Sequence, residues 1–321
     1  MARIVSLGSA LQDLYLIDHD DFGSLSLGGV SIFKDLKIGS KVDIDKIKFF
    51  IGGGGTNSAV TFAQNGHEAI FIGNIARDPA GEAVLKKLDE EGIDTSFIGI
   101  KPSGNTRTSV ILLDSKTGER TVLTCRGVSA KFNNFSASDL ELINPDWLYV
   151  TTLRGDFGTL LSFFETAKNL NVQIMFNPGK LEFLNKPQLL SLLQYTDILL
   201  VNREEATELV SGSLLEDLLS RLKNYVKTVI ITDSAMGGIA TDSETSYRFG
   251  IYEDVKVKDT TGAGDAFGSG FLAAFAKGKS FRSSLIAASA NSTSVVQKLG
   301  AKNGLLNFDE INLHPMPIQR I

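Results

Sequence analysis

Apolar and polar residues follow two rhythms along this chain. Short apolar runs of strand length occur at 4–7, 69–72, 147–151, 172–176, 198–201 and 228–232, and apolar residues between them recur at three- and four-residue intervals. The first rhythm predicts strands buried on both faces, and the second predicts helices laid over them. Helices are therefore expected from Gly52 to the closing Gly66, and over 79–91, 158–169, 187–193, parts of 204–223 and 281–299, with a short one after Asp309. Further strands are expected at 95–100, 238–241 and 247–249. From about residue 145 the strand–helix alternation is regular, which implies a mostly parallel sheet covered by helices on both sides.

Two stretches break that order. Residues 14–50 carry strand-like runs at 15–17, 30–36 and 48–51, interrupted by Gly28-Gly29 and Gly39-Ser40, and residues 106–124 are again β-rich around a turn at Gly118. Together they predict a small sheet built from separated segments. The expected division is an α/β domain of 1–13, 51–100 and 127–321, with a β lid of 14–50 and 101–126.

Composition narrows the function classes. A chain of 321 residues with 43% apolar content can fill a large core, and a net charge of −5 argues against nucleic acid or an anionic membrane as partner. No apolar run reaches the ~18 residues of a membrane span, and the N-terminus reads as a strand rather than a signal peptide. Cys125 is the only cysteine, which excludes an intrachain disulfide and suggests a reducing, cytoplasmic setting. Cys125 reads as a small buried hydrophobe, and His19, His67 and His314 lack metal-ligand spacing.

The chemistry concentrates in 259–275. A polar turn leads into Gly262, Ala263 and Gly264, and a helix follows with Phe267 and Phe271 on one face. Small residues ahead of a helix start let backbone N–H groups approach an anion. Gly268 and Gly270 inside that helix each cost about 1 kcal/mol relative to Ala, which points to a special packing or ligand demand. The dinucleotide fingerprint fails here and at Gly52 to Asn57, and Gly278-Lys279-Ser280 lacks the upstream glycine of a phosphate-binding P-loop.

The combination of Gly52-Gly53 with Asn57, Asn202 with Glu205, and Asp259-Thr260-Thr261-Gly262-Ala263-Gly264-Asp265 resembles the PfkB (ribokinase-like) family of carbohydrate and nucleoside kinases over nearly the whole chain. The resemblance implies a three-layer α/β/α domain with a β lid, and ATP-dependent, Mg²⁺-requiring phosphorylation of a hydroxyl. It assigns the anion hole to Gly262, Ala263 and Gly264 and the base to Asp265. A helix start also depresses a carboxylate's pKa, which opposes a role as base. The alternative reading of Asp265 is a complement to the helix dipole, and that of Asn202 and Glu205 is a plain helix start.

By the same resemblance Asn202 and Glu205 lie near Mg²⁺ and the phosphates, Glu205 acting through water, and Thr232 and Gly237 belong to a nucleotide segment in which Ser234 replaces a glycine. Asn291 borders the adenine, and the backbone near Asp259 and Thr261 holds a monovalent cation, K⁺, in many members. Asp13, Gly53 and Asn57 are expected to bind the sugar or nucleoside, with Asp13 alternatively a turn former. Arg107, Arg126 and Arg154 suit a sugar phosphate or plain surface, and Tyr15, Phe33 and Phe49 suit a nucleobase or lid packing. A non-catalytic sugar- or nucleotide-binding protein on the same fold is the rival function. A homodimer through the open lid edge is a further expectation.

Overall fold

In a computed structural model that describes residues 1–17, 24–27, 30–33, 41, 44, 46–113, 120–128, 135–242, 244–309 and 316–321, the apolar runs become the strands of one large sheet. The first part of the chain forms β1 (Arg3–Leu7), β2 (Leu11–Ile17), β3 (Ser24–Leu27), β4 (Val30–Phe33), β5 (Lys46–Gly52), α1 (Gly54–Gln64), β6 (Glu68–Ile72), β7 (Asn74–Ala76), α2 (Pro79–Glu90), β8 (Gly99–Lys101), β9 (Thr108–Leu113) and β10 (Arg120–Cys125). Then come α3 (Asp139–Ile143), β11 (Trp147–Val150), α4 (Phe157–Asn169), β12 (Gln173–Phe176), α5 (Lys180–Phe183), α6 (Lys186–Leu193), β13 (Ile198–Asn202), α7 (Arg203–Leu209), α8 (Leu215–Leu222) and β14 (Thr228–Thr232). The chain closes with β15 (Gly238–Thr241), β16 (Ser246–Phe249), α9 (Ala263–Ala276), α10 (Phe281–Val296) and β17 (Ile318–Arg320).

β6, β1, β11, β12, β13 and β14 pair in parallel in that order, and β15, β16 and β17 extend the sheet antiparallel. Strand residues alternate between two apolar layers. Val5, Leu7, Leu148 and Val150 face the side of α4, α6, α7 and α8, while Ile4, Trp147, Tyr149 and Leu200 face that of α1, α2, α9 and α10. Both faces are thus buried, which is why these strands read as continuous apolar runs.

The small sheet has the order β10-β9-β2-β5, with Tyr15, Ile17, Ile111 and Leu113 as its own apolar cluster. β2 starts at Leu11, so Asp13 sits within a strand, which removes the alternative reading of it as a turn former. Cys125 is exposed on the outer strand β10, not buried. The strand expected at 95–100 shrinks to β8, and α3, α5, β7 and β17 are too short to leave a periodic signal. The turns at Gly28-Gly29, Gly39-Ser40 and Gly118, the helix after Asp309, and His19 and His314 lie outside the described residues.

The interior glycines of α9 have packing reasons. A β-carbon on Gly268 would lie 2.3 Å from the Tyr149 hydroxyl and 2.7 Å from Leu200, and one on Gly270 would lie 2.9 Å from Asn291 on α10. Gly268 lets the helix settle onto β11 and β13, and Gly270 lets α10 cross closely. No helix among the described residues is long and apolar enough to cross a membrane.

Candidate active site

The carboxyl ends of β12, β13 and β14 and the start of α9 converge, as binding crevices in open α/β sheets do. Gly262 caps α9 with φ 79°, a left-handed conformation suited to glycine, and a β-carbon there would meet that of Ala301 at 2.4 Å. The first N–H groups of the helix have no intrahelical acceptor and point out of its start. Gly262, Ala263, Gly264 and Asp265 line a cavity of about 230 Å³ together with Asn177, Asn202, Glu205 and Thr232. Through Asn202, Thr232, Thr260, Ala263 and Gly264 this space borders a second cavity of about 500 Å³. That one is more apolar, with Phe249, Tyr252, Val257 and Phe267 in its wall alongside Ser289, Ser292 and Thr293 of α10.

Asp265 stands in the first turn of α9 and accepts a 2.8 Å hydrogen bond from Asn57 Nδ2 on α1. Burial pushes its carboxyl above the ordinary aspartate value, against the opposing effects of Asn57, Lys302 and Arg107. The depression expected from the helix start is therefore outweighed by desolvation. Gly54 brings α1 close, since a β-carbon there would lie 3.1 Å from Asp265 Oδ1 and from the buried hydroxyl of Thr151, which has no hydrogen-bond partner among the described residues. α1 has no side-chain cap. Its N-cap is Gly53 at φ 102°, and Thr56, one of its two expected caps, instead donates back to Gly52 O at 2.7 Å.

Asp13 is only 5% exposed, and its carboxylate lies where a β-carbon on Gly52 would come within 2.6 Å. Burial raises its pKa to about 6, against Ser109, Lys302 and Arg107. A carboxyl with a raised folded pKa holds its proton more tightly folded than unfolded, so this contribution to stability is largest below the ordinary value of 3.8 and is lost as pH rises through about 6. Asp13→Asn is accordingly expected to stabilise the protein at about pH 8, by up to about 3 kcal/mol, with the gain vanishing near pH 4. Thermal melts of both proteins at the two pH values check this, and an equal Tm difference at both would refute it.

Asn202 and Glu205 form a reciprocal capping box, Asn202 Oδ1 accepting from Glu205 N at 2.8 Å and Glu205 Oε2 from Asn202 N at 2.9 Å. The box occupies one carboxylate oxygen, and both residues also line the smaller cavity. Burial, followed by Glu208, Glu204 and Glu182, raises the Glu205 pKa. Oxygen donors beside a phosphate-sized space fit Mg²⁺, which keeps several of its waters. Thr232 ends β14 at the junction of the two cavities. Gly237 follows at φ 82°, its absent β-carbon leaving room for Phe249 O. Ser234 adopts φ 49°, so it takes up the left-handed backbone that glycine would supply there.

Three expected residues sit differently. Asn291 is fully buried, its Nδ2 donating to Ala266 O and its Oδ1 accepting from Leu306 N, so it ties α10 to α9 while its neighbours Ser292 and Thr293 face the larger cavity. Asp259 is 1% exposed and its carboxylate is saturated: it accepts from Tyr15 Oη at 2.6 Å, Thr261 N at 2.9 Å and Gly300 N at 3.2 Å, with Arg120 at 3.5 Å. With a guanidinium already against it, this side chain does not fit a monovalent cation, and only backbone carbonyls near Asp259 and Thr261 remain for one. Tyr15 is fully buried on that bond and edge-on to Phe50, hence unavailable for base stacking. Phe49 is 63% exposed, and the side chain of Phe33 lies outside the described residues.

Arg107 follows Thr106, whose backbone and hydroxyl donate to Asp78, and the β9–β10 register continues to Arg126 opposite it. Burial and then Arg154 lower the Arg107 pKa, and its buried Nε has no hydrogen-bond partner among the described residues. Burial and Arg126 likewise lower that of Arg154, which has φ 61°. Three guanidiniums thus repel one another beside Asp13. One site residue escaped the sequence reading. Lys302 donates to Ile51 O at 2.8 Å, Thr56 Oγ1 at 2.8 Å and Asn57 Oδ1 at 2.6 Å, and only its place after the Gly300-Ala301 turn hinted at it.

The family of pfkB family carbohydrate kinases matches residues 1–307. A ribokinase of Staphylococcus aureus (strain COL) is 30% identical over 276 residues, covering 83% of this chain and 88% of that protein. An ATP-dependent 6-phosphofructokinase of Thermoanaerobacterium thermosaccharolyticum is 24% identical over 313 residues, covering 93% and 95%. In fold, the crystal structure of a nucleoside kinase from Methanocaldococcus jannaschii superposes with a TM-score of 0.75 at 21% identity, covering 97% of this chain and 96% of that one.

Proposed function

The chain belongs to the pfkB family of carbohydrate kinases, and from that premise we propose that it transfers the γ-phosphoryl group of ATP to a hydroxyl of a sugar or nucleoside, with Asp265 as base. The observation that carries this reading is the position of Asp265. Its carboxylate heads α9 beside the turn Gly262 to Gly264, at the cavity wall, with Asn57 on its other side.

ATP fits with its base in the larger cavity and its phosphates against the start of α9. The acceptor lies between Asp13, Gly53 and Asn57, and Asp265 takes the proton of the attacking hydroxyl as its oxygen bonds to the γ-phosphorus and the bond to ADP breaks. Backbone N–H groups of Gly262, Ala263 and Gly264 stabilise charge on the transferred group. Asn202, and Glu205 through water, would hold Mg²⁺, which would supply charge neutralisation at the phosphates. A loose transition state lets the proton move late, so the position of Asp265 matters more than its basicity. The small sheet closes over the acceptor as a lid and excludes water. Its outer strands β5 and β10, with Ile47, Phe49, Val122 and Leu123 exposed, are the surface for a homodimer.

A second reading of the acceptor rests on Arg107, Arg126 and Arg154. Mutually repelling guanidiniums, one with a buried orphan nitrogen, favour a sugar that already bears a phosphate. ADP release over a panel of pentoses, hexoses, nucleosides and sugar phosphates tests both readings. Turnover is expected with at least one class, and Arg107→Gln should raise KM only for a phosphorylated one. No turnover with any acceptor would favour a sugar- or nucleotide-binding protein instead.

A further inference from the structure

Lys302 has no part in the chemistry assigned above, yet three protein oxygens hold its ammonium within 2.8 Å. An ammonium offers only donors and an ionised carboxylate only acceptors. The Asn57 amide lies between the two, its oxygen 2.6 Å from Lys302 Nζ and its nitrogen 2.8 Å from Asp265 Oδ2. One orientation of that amide satisfies both neighbours. Rotating it by half a turn would set NH₂ against the ammonium and C=O against the carboxylate, leaving two repulsive contacts in a buried place.

We propose that Lys302 is a positioning residue of the phosphoryl-transfer site, fixing the Asn57 amide so that it donates to Asp265 and aims that carboxylate at the acceptor. The inference rests on the kinase reading and adds to it a chain of contacts from 300–302 through α1 to α9. Ile51 O and Thr56 Oγ1 hold the ammonium as well, so its place does not depend on a bound acceptor. Lys302 also supplies positive charge near two carboxylates, the buried Asp13 and the half-buried Asp265.

The charged groups around these partners set the pH behaviour. Lys302 is faced by Asp265, Asp13 and Glu91, and by Lys87 as a like charge, and its burial lowers its pKa to about 7. Asp265 is faced by Lys302 and Arg107, both of which favour its ionised form, and the nearby Tyr149 is held neutral by burial. Removing the ammonium therefore raises the Asp265 pKa further, and the acid limb of the kcat profile moves to higher pH.

Two variants separate orientation from charge. Lys302→Met removes donor and charge, and is expected to lower kcat about 10- to 100-fold and to raise the acid limb. Lys302→Gln keeps one donor for Asn57 Oδ1, and is expected to hold kcat within a few-fold at the pH optimum while showing the same limb shift. The KM for ATP should stay unchanged in both, because Lys302 lines neither nucleotide cavity. Wild-type turnover with an acid limb unmoved in both variants would overturn the proposal, as would equal kcat for Met, Gln and wild type. Should Lys302→Met fail to fold by its thermal melt, the limb in Lys302→Gln decides alone. Absence of wild-type turnover would instead sink the kinase reading itself.

Discussion

Asp265→Asn is expected to lower kcat by about two to four orders of magnitude while leaving ATP affinity within a few-fold. The substitution keeps the shape of the side chain and its contact with Asn57 Nδ2, but an amide cannot take the proton of the attacking hydroxyl. Stability should not fall, since Asp265 is a desolvated carboxylate whose raised pKa already marks the charged form as unfavourable in the fold. Steady-state ADP release, ATP titration by calorimetry and a thermal melt on one preparation check the three parts. Full activity in the variant would remove Asp265 as base, whereas loss of activity together with loss of ATP binding would mean that it acts chiefly by holding the turn.

The second large effect concerns Gly264, and it separates function from folding. A β-carbon there meets nothing within 4 Å, in contrast to Gly262, whose φ of 79° and approach to Ala301 forbid one. Gly264→Ala should therefore fold well, and alanine in place of glycine in a helix favours the folded state by about 0.5–1 kcal/mol. The added methyl would stand in open space at a residue that lines both cavities, next to the proposed position of the phosphates. The expected result is a Tm at or above wild type with kcat/KM for ATP reduced by about two orders of magnitude. Unchanged kcat/KM would show that the phosphates do not rest on this turn. Gly262→Ala serves as the contrast, since it should lose stability and activity together.

The layered architecture was legible because both faces of β1, β11 and β13 are apolar and the intervening helices carry one apolar stripe each. The start of α9 was legible for a local reason: small residues ahead of an acidic first turn have few other uses. What escaped were roles fixed by meetings between distant segments. Lys302 lies 245 positions from Asn57, and beyond its place after the Gly300-Ala301 turn its neighbours do not distinguish it from a solvated loop lysine. Asn291 looks the same in sequence whether its amide faces a ligand or, as here, bonds the backbone of Ala266 and Leu306. Gly268 is explained only once Tyr149 is known to lie across from it. Asp13 followed small polar residues that resemble a turn, and the pairing of β2 with β5 and β9 drew it into a strand.

Asp259 fastens the turn that precedes Gly262 to the small sheet, through Tyr15 of β2 and Arg120 of β10, and Arg120 also donates to Thr260 Oγ1 at 2.8 Å. The free energy that orders the turn at 259–264 is therefore not local to its own segment. Substitutions in β2 or β10 and substitutions in 259–264 perturb one shared set of bonds, so their effects will not simply add. Evolutionary change in the small sheet is thereby constrained by a segment that lies outside it.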